Sequence, residues 1–207
     1  MDRAELKQRA RAQLGGKLFG TGWLYAVLVV LLQSVVTGVG SRGNGVGLAV
    51  LLLVGGPLSC SAARMFLKQS ADGRPMDLRD LAFGFTEDFS GSFLLNLMQS
   101  IFIALWSLLL VVPGIVKALS WSMSFYVRAE HPDYTWRQCL DASAALTSGH
   151  KGEIFLLYLS FVGWYIVGAL CFGVGTLWVQ AYVQAALSQC YHWLGTQHSY
   201  GTDEAQM

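Results

Sequence analysis

The feature that most constrains this chain is the absence of charge over long windows. Residues 18–41, 43–63, 89–116 and 154–202 hold no Asp, Glu, Lys or Arg. A helix needs about 20 mostly apolar residues to cross the hydrocarbon core of a bilayer. No water is available there, so a crossing helix must satisfy its own backbone groups. A soluble helical protein would instead need a polar face on each of its helices. Charged residues make up 13% of the chain, against about 25% in an ordinary soluble domain. These windows predict an all-α integral membrane protein.

Six spans are expected, at 18–38, about 47–67, 91–110, 113–128, 153–171 and 175–194. Pro113 suits the first turn of the fourth, where its missing N–H is harmless, and that helix, running to about Arg128 over roughly 27 Å at about 1.5 Å per residue, is just enough to cross. Three amphipathic helices are expected at the interface. The first is 2–14, with Leu6, Ala10 and Leu14 on one stripe and Arg3, Lys7 and Arg11 on another. The second carries Leu78, Leu81 and Phe85. The third begins at Thr135, where Thr135-Trp136-Arg137-Gln138 has the form of a capping box, and ends at Gly149.

The placement of Lys and Arg orients the spans. With the N-terminus inside, Arg42 and Lys117 fall outside and the other twelve of the 14 basic residues fall inside. Both termini are therefore expected in the cytoplasm. An amphipathic helix followed by a hairpin of two spans occurs three times, at 2–67, 76–128 and 135–194, which suggests three related units. The expected organisation is a single membrane domain, 1–194, with a flexible polar tail, 195–207.

The stretch WSLLLVVPGIVKALSWSMSFYV, the capped helix ending in SGHK, and the run EIFLLYLSFVGWYIVGALCFGVGTLWVQAYVQAAL together resemble a known family. So do the opening MDRAELKQRARAQL and the GGPLS of the second span. The chain resembles the bacterial integral membrane proteins called domain of unknown function 975. The exit helix, SGHK and following span are more loosely similar to the membrane domain of some glycerophosphodiester phosphodiesterases. The family resemblance implies a six-span fold in the bacterial inner membrane. It implies no activity, and the phosphodiesterase chemistry belongs to a soluble domain that is not in this sequence.

Polar groups at membrane depth are costly and normally face the protein interior or a wet cavity. Thr176, Gln180, Gln184, Ser188 and His192 follow one another at steps of four in the sixth span, and are expected on one face. Lys117, Ser120 and Ser124 in the fourth span, with Arg128 at its end, and Asn96 and Gln99 in the third complete a candidate polar cleft. Such a cleft could hold a polar headgroup or peptide segment, or these groups could simply bond between helices. Lys117, near the outer end of its helix, could also snorkel to the interface. At the inner surface, Arg137, His150, Lys151 and Glu153 form a second candidate set.

Trp121 and Trp164 lie mid-span, where core packing is expected, whereas Trp23, Trp106, Trp178 and Trp193 suit the interfacial belts. Cys60, Cys139, Cys171 and Cys190 have no ligand spacing and are expected as free thiols. No HExxH, GxSxG or Cys/His cluster is present, so no catalytic, cofactor or metal residues are assigned. The expected function is non-enzymatic binding of a membrane protein partner or lipid, without nucleic acid. The alternative is a small transporter or export or immunity factor using the polar face.

Overall fold

The computed structural model describes residues 3–13, 21–40, 45–72, 78–109, 111–170 and 174–204, and every regular element among them is helical. The N-terminal helix α1 is Arg3–Gln13, and α2 (Thr21–Gly40) and α3 (Gly45–Asp72) form the first hairpin. A 3-10 turn at Leu78–Ala82 leads through the short α4 (Phe83–Thr86) into α5 (Phe89–Leu109). Then come α6 (Val111–Ser120), α7 (Ser124–Glu130), α8 (Trp136–Leu146), α9 (Lys151–Leu170) and α10 (Val174–Glu204). Among the described residues three helices, Ala49–Ala71, Phe89–Trp106 and Lys151–Leu170, are long and apolar enough to cross a membrane.

The packing repeats three times. In each hairpin the two helices pair: α2 with α3, α5 with α6, α9 with α10. The first helix of each hairpin also touches the second helix of the hairpin before it. Thus α5 touches α3, α9 touches α6, and α2 closes the ring on α10. The leading helices obey the same rule. The 3-10 turn and α4 pack on α3, α8 packs on α5 and α7, and α1 packs on α10. The three units inferred from the sequence are therefore related in how they pack. Their second helices make the centre, and their first helices the rim.

The centre admits close approach because small residues lie at the crossings. Gly56 is one such site: a Cβ there would strike the Ser92 carbonyl oxygen and lie 2.7 Å from Asn96 Cβ. The rim is apolar on its outward side. Leu24, Leu28, Leu31, Leu32 and Val35 on α2, and Leu156, Leu159, Val162, Ile166 and Leu170 on α9, are all exposed. Only a narrow stripe of α9, at Ile154, Leu157, Phe161 and Gly168, turns inward.

Several elements depart from expectation. The fourth span, expected as one helix to Arg128, is broken at Trp121–Met123 into α6 and α7. The break persists because neighbouring side chains take its released backbone groups. Ser143 Oγ donates to the Ser120 carbonyl at 2.8 Å and accepts from the Met123 amide at 3.2 Å. Thr147 Oγ1 also donates to Ser120 O (3.2 Å), and Gln99 Nε2 to Trp121 O (3.3 Å).

The short second amphipathic segment turns Phe83 inward and leaves Phe85 exposed, because it begins as a 3-10 turn. Trp164 lies on the outward face of α9, 48% exposed, whereas Trp23, assigned to the belt, is buried 6.2 Å from the Tyr182 ring. Helix α8 ends at Leu146, and Gly149 follows with φ +81°. Helix α10 continues through the expected tail as far as Glu204. Leu14 and Cys171 lie outside the described residues; Cys60, Cys139 and Cys190 are buried thiols outside any disulfide.

Candidate functional site

The five polar residues of α10 do not share a face. Steps of four at about 100° per residue advance the stripe about 40° each time, so four steps swing it roughly 160°. The structure accordingly sends the two ends of this ladder to different places.

Gln180 and Gln184 open onto a cavity of about 370 Å³ lined by Gln33, Thr37, Asn96, Ser100 and the apolar Leu51 and Leu52, among others. An adjoining cavity of about 410 Å³ shares Gln33, Thr37 and Gln180. Helices α2, α3, α5 and α10 supply the walls, and among the described residues no charged side chain lines either space. Gln184 Nε2 donates to Gln33 Oε1 at 2.5 Å, and its carbonyl accepts from the Tyr126 hydroxyl at 3.3 Å. The Tyr165 hydroxyl donates to Gln180 Oε1, and Asn96 Nδ2 donates to the Leu52 carbonyl at 3.3 Å. Each amide retains donor or acceptor capacity beyond these bonds. Gln33 and Thr37 were not among the expected cleft residues. Their signal was present, two polar side chains four apart in a largely apolar helix.

Ser188 and His192 join other contacts. Ser188 Oγ donates to the Ala185 carbonyl at 2.9 Å and faces Gln13 of α1. Gln13 ties α1 down through Phe66 O, at 3.0 Å from Nε2, and through Gln189 Nε2, which donates to its Oε1 at 3.0 Å. With Leu6 and Ala10 buried, α1 is a packed part of the bundle and not simply a surface helix. His192 Nε2 lies 2.8 Å from Ser70 Oγ and lines a separate cavity of about 290 Å³ with Arg64, Lys68 and Glu130. Thr176 sits beside the close crossing of Gly168 and Gly175.

Gln99 and Ser124 serve the helix break. Ser124 Oγ donates to Gln99 Oε1 at 2.8 Å, and Ser120 Oγ donates within α6 to the Val116 carbonyl at 2.8 Å. Beyond the break, Arg128 makes a buried ion pair that sequence reasoning missed. Its Nε donates to Asp88 Oδ2 at 2.7 Å, Nη2 to Asp88 Oδ1 and Nη1 to the Tyr134 carbonyl. Ser92 Oγ adds a bond to Asp88 Oδ2 at 2.8 Å. Asp88 immediately precedes α5 in the sequence, and the fold closes over it.

The expected inner-surface set divides. His150 Nδ1 meets Glu153 Oε2 at 3.0 Å, and the imidazole stands edge-on to Trp193. Arg137 is elsewhere: it lines a cavity of about 370 Å³ with Lys117, Trp106, Trp121, Trp136 and Asp141. Lys117 and Arg137, assigned to opposite sides of the membrane, thus face one space. The broken span brings α8 up beside α5 and α6. The Trp136 ring lies 6.3 Å from that of Phe102, which is about 20 Å along α5 from its first residue. Lys151 is not drawn into either set. The Thr135 capping box that starts α8 forms as expected, with Thr135 N–H donating to Gln138 Oε1 at 2.8 Å.

Comparison with known proteins bears on the helices that build these features. Residues 108–197, from the end of α5 into α10, match a family model described as "Protein of unknown function (DUF975)". Over that stretch, a little under half of its length, the chain is similar to this family. The match takes in the helix break, Arg128, α8 and the polar face of α10; the opening helix and GGPLS lie outside it. The looser similarity to the phosphodiesterase membrane domain is not shown. No curated protein and no solved structure matches the chain.

Proposed function

We propose that this chain is a non-enzymatic, six-span protein of a bacterial inner membrane, with both termini cytoplasmic, that binds a polar, uncharged group of a membrane lipid. The observation that carries the reading is the cavity walled by Gln33, Thr37, Asn96, Ser100, Gln180 and Gln184. Its volume falls in the range of small-molecule sites, about 300–1,000 Å³. Amides and hydroxyls without charge suit ester, hydroxyl or amide groups and would leave a phosphate or ammonium unpaired.

The membrane setting is supported by the three long apolar helices and by the apolar outward faces of α2 and α9. Helices α2 and α10 are 20 and 31 residues long, enough by length to cross. The interrupted α6–α7 pair is read as the remaining crossing. A transporter is the second reading, favoured by that interruption, because transporters often bind their cargo at broken helices. Against it, the released carbonyls of Ser120 and Trp121 already accept hydrogen bonds from Thr147, Ser143 and Gln99.

Native mass spectrometry after gentle extraction tests the proposal. A stoichiometric lipid retained by the wild type and lost in Gln180→Leu and Gln184→Leu is the expected result. Folded variants that keep the lipid would refute the site. A co-purifying protein lost on Arg137→Glu would replace lipid with a protein partner as the ligand.

A further inference from the structure

The cavity shared by Lys117 and Arg137 is independent of the uncharged one. Its walls come from α5 (Phe102, Trp106), the end of α6 (Lys117, Trp121) and α8 (Trp136, Arg137, Leu140, Asp141, Ala144). Lys117 Nζ stands 5.5 Å from the Trp106 ring centre and 5.3 Å from that of Trp121, and the Arg137 guanidinium lies 5.0 Å from Trp136. Among the described residues neither cation has a carboxylate within ion-pair distance, and Asp141 is the lone acidic side chain in the lining. Two cations face one carboxylate, so the space carries a net positive charge held between aromatic faces.

We propose that this groove binds the phosphate of an anionic phospholipid. The rings are already occupied by the protein's own cations, so a lipid ammonium would meet both repulsion and covered π-faces. A phosphate would gain a point charge from Lys117 and a planar donor fork from Arg137. The occupant is a lipid and not a soluble anion because Leu105 and Val116, the chain neighbours of the lining residues Trp106 and Lys117, are exposed and apolar, as is Ile115. Acyl chains would cover these apolar side chains while the phosphate reached the cations. Trp rings are suited to that boundary between apolar and wet surroundings.

The test titrates the purified full-length chain, in detergent, with phosphatidylglycerol and with phosphatidylcholine of the same acyl composition, read by native mass spectrometry. Each basic side chain near an anionic headgroup contributes about fivefold and Asp141 offsets one of the two, so the wild type should prefer phosphatidylglycerol by roughly fivefold. Lys117→Gln with Arg137→Gln should abolish that preference. Asp141→Asn, on an exposed position, should strengthen phosphatidylglycerol binding about fivefold, and it decides the matter if the double variant does not fold. Glycerol 3-phosphate should not displace the lipid. An equal affinity for the two lipids, a preference kept by the double variant, or displacement by glycerol 3-phosphate would overturn the proposal. Gln180→Leu, expected to lose the lipid of the uncharged cavity, should keep the preference for phosphatidylglycerol over phosphatidylcholine, which separates failure of this groove from that of the uncharged cavity.

Discussion

Asp88→Asn removes one charge from the Arg128 pair with almost no change in volume. Both side chains are buried, at 8% and 6% exposure, and Arg128 spends its Nε and Nη2 donors on the carboxylate. Removing one partner strands the other charge away from water, at a cost of about 3–5 kcal/mol. For a chain of this size each kcal/mol lowers Tm by about 2–4 °C, so a fall of roughly 6–20 °C is expected. The low end applies because Asn can still accept one of the two bonds. Circular dichroism at 222 nm in detergent, with monodispersity checked by size exclusion, reads the shift. Asp88→Leu combined with Arg128→Met should melt closer to wild type than Asp88→Asn alone, since it leaves no unpaired charge. Gly91→Ala should mimic the broken pair: a Cβ there would strike the guanidinium and lie 2.5 Å from Asp88 Oδ1. If Asp88→Asn melts within about 2 °C of wild type, the pair does not hold α5 to α7 and the reasoning fails.

Two further outcomes follow from α8. Thr135→Ala removes the side-chain acceptor of the capping box and should cost about 1 kcal/mol, measured by the same melt. Burial pushes the Cys139 thiol from its usual 9.0 up to about 11. Below pH 9 both folded and unfolded thiols stay protonated. Above it the unfolded thiol ionises first, so this group's contribution to stability is lost as pH rises from 9 toward 11. Maleimide labelling at pH 8 should accordingly reach Cys139 only after unfolding, and rapid labelling of the folded protein would contradict its placement.

The all-helical class was legible because it depends on runs: long windows without charge leave few alternatives to helices that bury their own backbone. The three-unit pattern was legible for the same reason, since hairpins and leading helices alternate along the chain. The capping box at Thr135–Gln138 was legible because it is closed by residues three apart. Periodicity failed over greater distance. Five polar residues at steps of four looked like one face of α10, but the drift of that stripe places Gln180 and Gln184 in the cavity and His192 on Ser70.

What the sequence by itself determined is local: where helices can run and where α8 starts. What the tertiary structure decided involves residues far apart in the chain. Asp88 and Arg128 are separated by 40 positions, and neither signals the other. The break at Trp121–Met123 is held by Gln99, Ser143 and Thr147, from two other helices. Without those donors a continuous helix would satisfy the same backbone groups, and α6–α7 would have formed the unbroken span that its composition suggests. The break in turn lets α8 rise beside α5, which is how Lys117 and Arg137 come to share a groove. Hydrogen bonds and ion pairs in a low-dielectric interior are strong enough to select such arrangements, but their partners are chosen by packing, and packing is a property of the whole chain.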